Sequence, residues 1–203
     1  MNIFRLASVA VVVIAVGLLA INVVPRQPDG SSVGGQSPSP SPAQAVYFPA
    51  MTGSFISPTY GYSFKFLNRG GLARATEIWD PGNQPLDDRD FDARFDAVET
   101  GMFAYFESAS TQIPDGVSID GWVDEFVTPT AAGGCGVPRS QQAEITIDGQ
   151  LGRVAECDHI EATVVAGGRL YLFRLGHTRV DARAWFDAWI ASIDLTPETA
   201  AVP

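Results

Sequence analysis

The chain of 203 residues carries 13 lysines and arginines against 23 aspartates and glutamates, a formal net charge of −10 at pH 7. Nucleic acids and anionic lipid surfaces both bind clustered cations, so this balance argues against either of them as a partner. About 150 residues lie beyond an apolar N-terminal segment and a polar linker, enough for one domain with a substantial core.

The first element is an apolar segment from Leu6 to Val24, nineteen residues without a charged side chain. As a helix it would be roughly 28 Å long, close to the ~30 Å hydrocarbon core of a bilayer. We therefore predict a short cytoplasmic tail at residues 1–5 and a transmembrane helix at residues 6–24. A cleavable signal peptide is the alternative, but its apolar region usually spans about 7–15 residues, and the one small-x-small candidate, residues 15–17, lies in mid-segment.

Residues 25–46 are rich in Gly, Ser and Pro and contain few large apolar side chains. Such a segment buries too little surface to offset chain entropy, so we predict a linker. Its Ser37–Pro42 repeat favours extended polyproline II and is interpreted as a spacer; a ligand for an aromatic groove would need a flanking cation. We expect an extracytoplasmic domain at residues 47–197 and a flexible tail at residues 198–203.

The first half of this domain is predicted to be strands. Aromatic side chains alternate with other residues from Tyr60 to Phe66, the period of a half-buried strand. A second strand is predicted from Leu72 to Trp79, and one or two further strands from Phe95 to Ser108. Residues 80–90 are Pro, Gly and acidic residues, which indicates a loop.

A helix is predicted next, because apolar side chains recur at i, i+3, i+4 and i+7: Ile119, Trp122, Val123 and Phe126. Ser118 or Asp120 is suited to cap its start, and residues 128–134 contain the Pro and Gly that end it.

Two hairpins follow. Asp148-Gly149 separates residues 144–147 from residues 151–157, and Gly167-Gly168 separates residues 160–166 from residues 169–175. Asp-Gly between alternating segments is a strong hairpin signal, because both turn residues adopt positive φ. The sequence therefore predicts four consecutive antiparallel strands.

The last predicted element is a helix from Asp181 to Ile193, with Trp185 and Trp189 on one face. Two tryptophans on one face indicate that this helix covers a sheet. Asp181 is the expected N-cap, and Val180 is placed to pack on Trp185 as a hydrophobic staple.

Cys135 and Cys157 are the only cysteines. In an exported domain they most simply form a disulfide, which would close a loop of about 22 residues and contribute about 3 kcal/mol. Metal binding is the alternative, with His159 as the one near additional ligand. A reactive thiol pair would need the C-x-x-C spacing that the chain lacks.

An acidic stretch offers a second candidate metal site. Asp88, Asp90, Asp92 and Glu99 occupy positions 1, 3, 5 and 12 of a calcium-binding loop. Position 6 is Ala93, where the loop requires Gly, so a solvated acidic loop is the favoured interpretation and no metal is expected.

Catalytic motifs are absent from the sequence. It contains no G-x-S-x-G, no H-E-x-x-H and no phosphate-binding glycine loop. The histidines His159 and His177 are far apart, and no base is apparent beside Ser108, Ser110 or Ser140. We predict no catalytic residue and no cofactor, although a site assembled from dispersed residues stays open as a rival.

Several sequence features resemble the PsbP-like extracytoplasmic domains of bacterial surface proteins: YGYSFKF at residues 60–66, the strand ending in Trp79, Gly121-Trp122, Cys135-Gly136, the Ile147–Gly149 hairpin, GRLYLF at residues 168–173 and the closing helix at residues 185–193. The resemblance covers roughly residues 55–197 and implies a central antiparallel sheet between helices, an α/β/α sandwich, without a catalytic role. Residues 6–24 and the Ser-Pro spacer are similar to the trans-envelope part of actinobacterial or chloroflexal anti-sigma-type proteins. Only residues 1–5 precede the apolar segment, so no sigma-binding domain is expected.

The sequence thus predicts an α+β domain on a single-pass anchor in the plasma membrane, N-terminus inside. We expect a binding or accessory function for an envelope ligand or protein partner. Two rivals stay open: a cell-envelope enzyme in which His159 or His177 meets a carboxylate or a serine, and a regulatory subunit of a membrane complex.

Overall fold

A computed structural model describes residues 50–67, 71–82, 93–99, 105–176 and 181–201. The chain divides into two compact units, residues 1–44 and 45–203, and every described residue belongs to the second. The predicted transmembrane helix and the whole predicted linker, residues 25–46, lie outside the described residues. Within the described ranges, no helix has the length and apolar character needed to cross a membrane.

The second unit is α+β. Its strands and α-helices, in chain order, are β1 (Gly53–Ile56), β2 (Tyr62–Phe66), β3 (Leu72–Ala73), β4 (Asp96–Glu99), β5 (Tyr105–Gln112), α1 (Ile119–Phe126), β6 (Ala143–Ile147), β7 (Gln150–Glu156), β8 (His159–Ala166), β9 (Arg169–Gly176), α2 (Ala182–Ile190) and β10 (Asp194–Leu195). Short 3₁₀ helices cover Thr130–Ala132, Arg139–Gln141 and Pro197–Thr199.

The larger sheet has seven strands in the order β3-β4-β5-β9-β8-β7-β6, and every pairing is antiparallel. Strands β6 to β9 form the predicted run of two hairpins. Asp148 and Gly149 have φ of 47° and 73°, as this tight turn requires, and Gly167 and Gly168 have φ of 55° and 77°. The hairpin prediction is confirmed.

A smaller sheet has the order β1-β2-β10, with β2 in the centre. The predicted alternation is confirmed, because Tyr62, Phe64 and Phe66 are buried while Lys65 is exposed. Strand β10 comes from the far end of the chain and places Asp194 opposite Ser63.

The strand predicted from Leu72 to Trp79 is wrong beyond Ala73. The backbone leaves the sheet because other acceptors are closer. Ala75 donates its N–H to Asp96 Oδ1 at 2.9 Å, and Thr76 donates to the Ala93 carbonyl at 2.8 Å. Trp79 is fully buried, but in a loop rather than a strand.

The smaller sheet and α2 cover one face of the larger sheet. Trp189 of α2 has its ring centroid 4.2 Å from that of Phe106, 5.8 Å from that of Phe173 and 5.6 Å from that of Phe64. The ring centroid of Tyr62 lies 5.7 Å from that of Phe173. These aromatic side chains form the centre of the core, and the prediction that the tryptophan helix covers a sheet is confirmed.

Helix α2 differs from its prediction in two details. Asp181 is at the N-cap position, yet its side chain makes no capping bond, because its backbone is not extended (φ −102°, ψ 13°). Asp181 Oδ2 instead accepts a 3.1 Å hydrogen bond from Trp185 Nε1. The helix ends at Ile190 rather than at Ile193. The next residues form a tighter turn, in which the Ile193 N–H donates to the Ile190 carbonyl three residues earlier. Val180 is outside the described residues.

Helix α1 and the segment after it lie over the opposite face. Ser118 caps α1 as predicted, because its Oγ accepts the Gly121 N–H at 3.4 Å. Trp122 and Val123 are its buried residues. Arg139, which follows the helix, donates Nε–H to Asp120 Oδ1 of α1 at 3.0 Å and Nη1–H to the Thr163 hydroxyl of β8. Arg139 therefore links α1 to the larger sheet through hydrogen bonds.

Candidate functional site

The predicted disulfide between Cys135 and Cys157 is present, with Cα atoms 5.6 Å apart and a sequence separation of 22. It connects the segment after α1 to the turn between β7 and β8. Three charged or titratable side chains surround it: His159, Glu161 and Arg174. We call these five residues the disulfide cluster.

Local backbone geometry brings the two cysteines together. The Cys157 N–H donates to the His159 carbonyl at 2.8 Å, which closes the β7–β8 turn. On the other side, Gly134 follows a left-handed residue, Gly133 (φ 78°), and its backbone passes so close to the Val127 and Thr128 carbonyls that a side chain would not fit. The chain can therefore fold back toward the sheet at Cys135.

His159 is the centre of the cluster. Its Nδ1 lies 2.8 Å from Asp158 Oδ1, and its Nε2 lies 3.3 Å from Glu161 Oε2. The same Nε2 is 3.7 Å from Cys135 Sγ and 3.9 Å from Cys157 Sγ. The hydrogen bond from His159, reinforced by its charge when protonated, lowers the pKa of the exposed Asp158 carboxyl. Both ring nitrogens therefore face groups that can fix the tautomer.

Glu161 is a buried carboxylate, 2% exposed, on strand β8. Its Oε1 accepts the Cys135 N–H at 3.1 Å, and its Oε2 lies 3.6 Å from Arg174 Nη2. Arg174 also donates to the Gly133 carbonyl at 2.7 Å, and its guanidinium carbon lies 5.9 Å from the centre of the Phe95 ring. A buried carboxylate is tolerated because it is paired and hydrogen-bonded in this way.

Sequence reasoning identified the two cysteines and named His159 as the nearest additional ligand, but it missed Glu161 and Arg174. Positions 159 and 161 alternate along one strand and share a face, and the register places Arg174 opposite Glu161. The signal was a glutamate in an otherwise apolar strand segment, IEATVV, since an unpaired buried carboxylate is costly.

The acidic candidate site cannot be followed in the same way. Asp88, Asp90 and Asp92 lie outside the described residues. Glu99 is the last, exposed residue of β4, and its N–H donates to the Gly71 carbonyl at 2.9 Å. The solvated acidic loop, with calcium binding as its alternative, stays a prediction from the sequence.

Two of the serines that lacked an apparent base, Ser108 and Ser110, lie on the face of the sheet opposite to His159. Ser108 and Ser110 are buried on the face that α2 covers; Ser108 Oγ lies 2.8 Å from the Tyr62 hydroxyl oxygen. Ser110 donates to the Tyr60 carbonyl at 3.1 Å. Ser140 belongs to the 3₁₀ helix at Arg139–Gln141, and His177 is outside the described residues.

Ser108 belongs to a buried network around Asp96, which sequence reasoning also missed. Asp96 accepts hydrogen bonds from the Tyr62 hydroxyl at 2.5 Å, the Ser57 hydroxyl at 2.7 Å and the Ala75 N–H. Burial, and secondarily the charge of Asp96, raises the pKa of Tyr62 well above its ordinary value. Burial also raises the pKa of Tyr171, to about 12. The network connects the two sheets.

The disulfide cluster is thus the place where a disulfide, a histidine and a buried ion pair meet. Ligand atoms of Cys135, Cys157 and His159 all lie within 4.8 Å of one another. Compared with known proteins, the chain matches no protein-family model and no curated protein sequence.

Proposed function

We propose that this protein is a single-pass membrane protein that displays its α+β domain on the extracytoplasmic side, where the domain has a binding or accessory role. The observation that carries the proposal is the Cys135–Cys157 disulfide. Structural disulfides persist in oxidising compartments and are rare in the cytosol. The domain is therefore expected outside the cytoplasm.

The sequence before the domain supports a tether. Residues 6–24 have the length and apolar character of a membrane-spanning helix, and residues 25–46 have a linker composition. The PsbP-like resemblance is consistent with α1 and α2 lying over opposite faces of an antiparallel sheet. The net charge of −10 favours a ligand or protein partner in the envelope over nucleic acid.

A role without catalysis is favoured by how the polar groups are used. The two sulfurs beside His159 are bonded to each other, so neither is a thiolate nucleophile in this state. Ser108 and Ser110 are bonded within the core instead. A cell-envelope enzyme is the alternative, because His159 does contact two carboxylates, Asp158 and Glu161.

The experiment is protease accessibility of the full chain in intact cells, with its apparent mass compared before and after membrane extraction. Removal of the globular part by external protease, together with recovery of the full-length chain from membranes, is the expected result. Permeabilised cells are the control for intrinsic protease sensitivity. Protection of the domain until cells are broken would contradict the proposal and direct attention to a cytosolic partner.

Two further measurements separate the rivals. Alkylation of free thiols before lysis should leave Cys135 and Cys157 unmodified if the disulfide exists in the cell. Replacing Ser8 and Asn22 with Leu removes the two polar side chains of the apolar segment. Loss of captured partners in that variant would support the membrane-complex subunit instead.

A further inference from the structure

We infer that the disulfide cluster becomes a zinc-binding site when the disulfide is reduced, with Cys135, Cys157, His159 and Glu161 as the four ligands. The oxidised protein would not bind zinc at this site, because the two sulfurs are bonded to each other and are not thiolates. Reduction would then turn a structural disulfide into a structural metal site. The inference goes beyond the proposed display function and does not depend on it.

The distances around His159 Nε2 carry this assignment. In tetrahedral zinc sites the bonds are about 2.3 Å long to sulfur and about 2.0–2.1 Å long to nitrogen and oxygen. The ligand atoms, which form the corners of the tetrahedron, are then about 3.5 Å apart along a sulfur–nitrogen edge and about 3.3 Å apart along a nitrogen–oxygen edge. His159 Nε2 lies 3.7 Å and 3.9 Å from the two sulfurs. It lies 3.3 Å from Glu161 Oε2. Three of the required edges are therefore already close to their expected lengths.

The outer partners of a metal site are also present. Histidines that bind zinc usually hold their second nitrogen against a carboxylate, which fixes the tautomer and the ring orientation. Asp158 Oδ1 lies 2.8 Å from His159 Nδ1, the nitrogen that is also 3.4 Å from Cys157 Sγ. Nε2 is the nitrogen nearer to Cys135 Sγ, at 3.7 Å, and it also lies 3.3 Å from Glu161 Oε2. Glu161 is also held in place, because its Oε1 accepts the Cys135 N–H at 3.1 Å while its Oε2 lies 3.3 Å from Nε2.

Charge is balanced in the proposed site. Zn²⁺ with two thiolates and one carboxylate has a net charge of −1, and the guanidinium of Arg174, 3.6 Å from Glu161 Oε2, offsets it. A buried site needs this compensation, since Glu161 is 2% exposed and Arg174 is largely buried as well. Zinc suits the ligands because thiolate and imidazole are its preferred donors.

The redox step requires a dithiol reductant, either an exported thiol–disulfide oxidoreductase or a small-molecule dithiol. Its two thiols are oxidised to a disulfide while the Cys135–Cys157 bond accepts two electrons and two protons and becomes two thiols. Zn²⁺ then binds both sulfurs with release of the two protons, while neutral His159 and ionised Glu161 bind without further proton loss. The sulfurs separate to about 3.8 Å, the edge expected for two thiolates on one zinc ion.

The test uses the full chain in mild detergent, reduced with a phosphine that is removed before metal is added. Co²⁺ serves as the spectroscopic probe, followed by competition with Zn²⁺. We expect one equivalent of Co²⁺ with a thiolate-to-metal charge-transfer band and the intense visible absorption of a tetrahedral ion. The oxidised chain, titrated in parallel, should show neither signal.

Single substitutions identify the ligands. His159→Gln and Glu161→Gln should each weaken cobalt binding at least about tenfold, and Asp158→Asn should weaken it about tenfold through the ring orientation. Glu144→Gln is the matched control for Glu161→Gln: it removes an exposed carboxylate, 3.4 Å from Arg153, and should leave binding unchanged. Circular dichroism of each oxidised variant establishes that it is folded before reduction.

A second readout does not depend on spectroscopy of the metal. Zinc should raise the thermal midpoint of the reduced chain and slow re-formation of the disulfide by an added oxidant, but should leave the oxidised chain unaffected. Metal uptake without thiolate charge transfer, or unchanged affinity in His159→Gln, would overturn the inference. Neither result would bear on the membrane topology, which the protease experiment tests separately.

Discussion

The Tyr62 hydroxyl donates a 2.5 Å hydrogen bond to the Asp96 carboxylate, and this contact joins the central strand of the smaller sheet to β4 of the larger one. Asp96 and Tyr62 are both 0% exposed. The carboxylate is accommodated there because three donors converge on its two oxygens: Ser57 and Tyr62 from the β1–β2 hairpin, and Ala75 from the loop after β3. The packing of the two sheets therefore depends on a polar contact inside an aromatic core.

Removal of the Tyr62 hydroxyl should destabilise the protein more than removal of another buried tyrosine hydroxyl. Tyr62→Phe leaves a buried carboxylate with one donor fewer, at an expected cost of about 1.5–3 kcal/mol. Tyr171→Phe is the matched comparison, since the Tyr171 hydroxyl donates to the neutral Gly61 carbonyl at 3.3 Å. Its loss should cost about 1 kcal/mol. Urea unfolding measures both; equal losses would contradict the special role of Asp96.

The buried tyrosines predict a loss of stability in alkali. Folding raises the pKa of Tyr171 to about 12 and that of Tyr62 above its ordinary value, against about 10 in the unfolded chain. Between these values the folded state binds more protons than the unfolded state, so the free energy of unfolding falls as pH rises above about 10. Phenolate absorbance should show that Tyr62 and Tyr171 do not ionise with the ordinary pKa of about 10. Ionisation of all five tyrosines near pH 10 without unfolding would contradict this.

Loss of the disulfide should lower stability without abolishing the fold. A bond that spans a separation of 22 residues contributes about 3 kcal/mol in the chain-entropy model. The double variant Cys135→Ser, Cys157→Ser should therefore unfold at a lower denaturant concentration than the oxidised chain. The comparison is made without added metal and with an unchanged slope of the transition as the control for two-state unfolding. A difference below about 1 kcal/mol would show that the bridge adds little.

Two glycine substitutions should have opposite effects. A methyl group at Gly134 would collide with the Val127 and Thr128 carbonyls, and Gly134→Ala should cost about 2–3 kcal/mol because backbone must move. In α1, a methyl group at Gly121 would lie 3.6 Å from Ser118 Cβ, an ordinary contact, so Gly121→Ala should stabilise the protein by about 0.5–1 kcal/mol. Thermal unfolding of both variants measures the difference, and a stabilising Gly134→Ala would refute the steric argument.

Arg139 should contribute more to stability than an exposed arginine with similar ion-pair geometry. Arg139→Ala removes the bonds to Asp120 and Thr163 and should cost about 1–3 kcal/mol. The control is Arg183→Ala, which breaks an exposed pair with Asp187 at 2.8 Å and should change stability by less than about 0.5 kcal/mol. Hydrogen exchange in α1 should accelerate only in the Arg139 variant; unchanged exchange would show that the helix is held by apolar packing alone.

Local patterns predicted most of the elements. The helix at residues 119–126 and the Asp148-Gly149 hairpin follow from the periodicity of apolar side chains and from turn residues that accept positive φ. Such signals depend on residues that are close in sequence, so they can be recognised without knowledge of the tertiary structure. The strand predicted to Trp79 failed because Asp96 and Ala93, remote in sequence, provide better acceptors for that backbone.

The candidate site was only half predictable for the same reason. Two cysteines in a sequence with an apolar N-terminal segment indicate a disulfide, and that inference needs only count and context. Glu161 and Arg174 become partners only when β8 and β9 pair in a particular register, and the register is set by contacts along the whole sheet.

The sequence by itself determined the element types, the hairpins, the buried aromatic faces and the cysteine pair, because these depend on side-chain period, turn chemistry and composition. Only the tertiary structure decided which polar groups are buried together. It brought the Asp96 carboxylate into hydrogen-bonding distance of the Tyr62 hydroxyl. It also brought His159 Nε2 within 3.9 Å of both cysteine sulfurs and within 3.3 Å of the Glu161 carboxylate. Burial of a polar group is stable only when distant parts of the chain provide its partners, and the three-dimensional packing determines which parts those are.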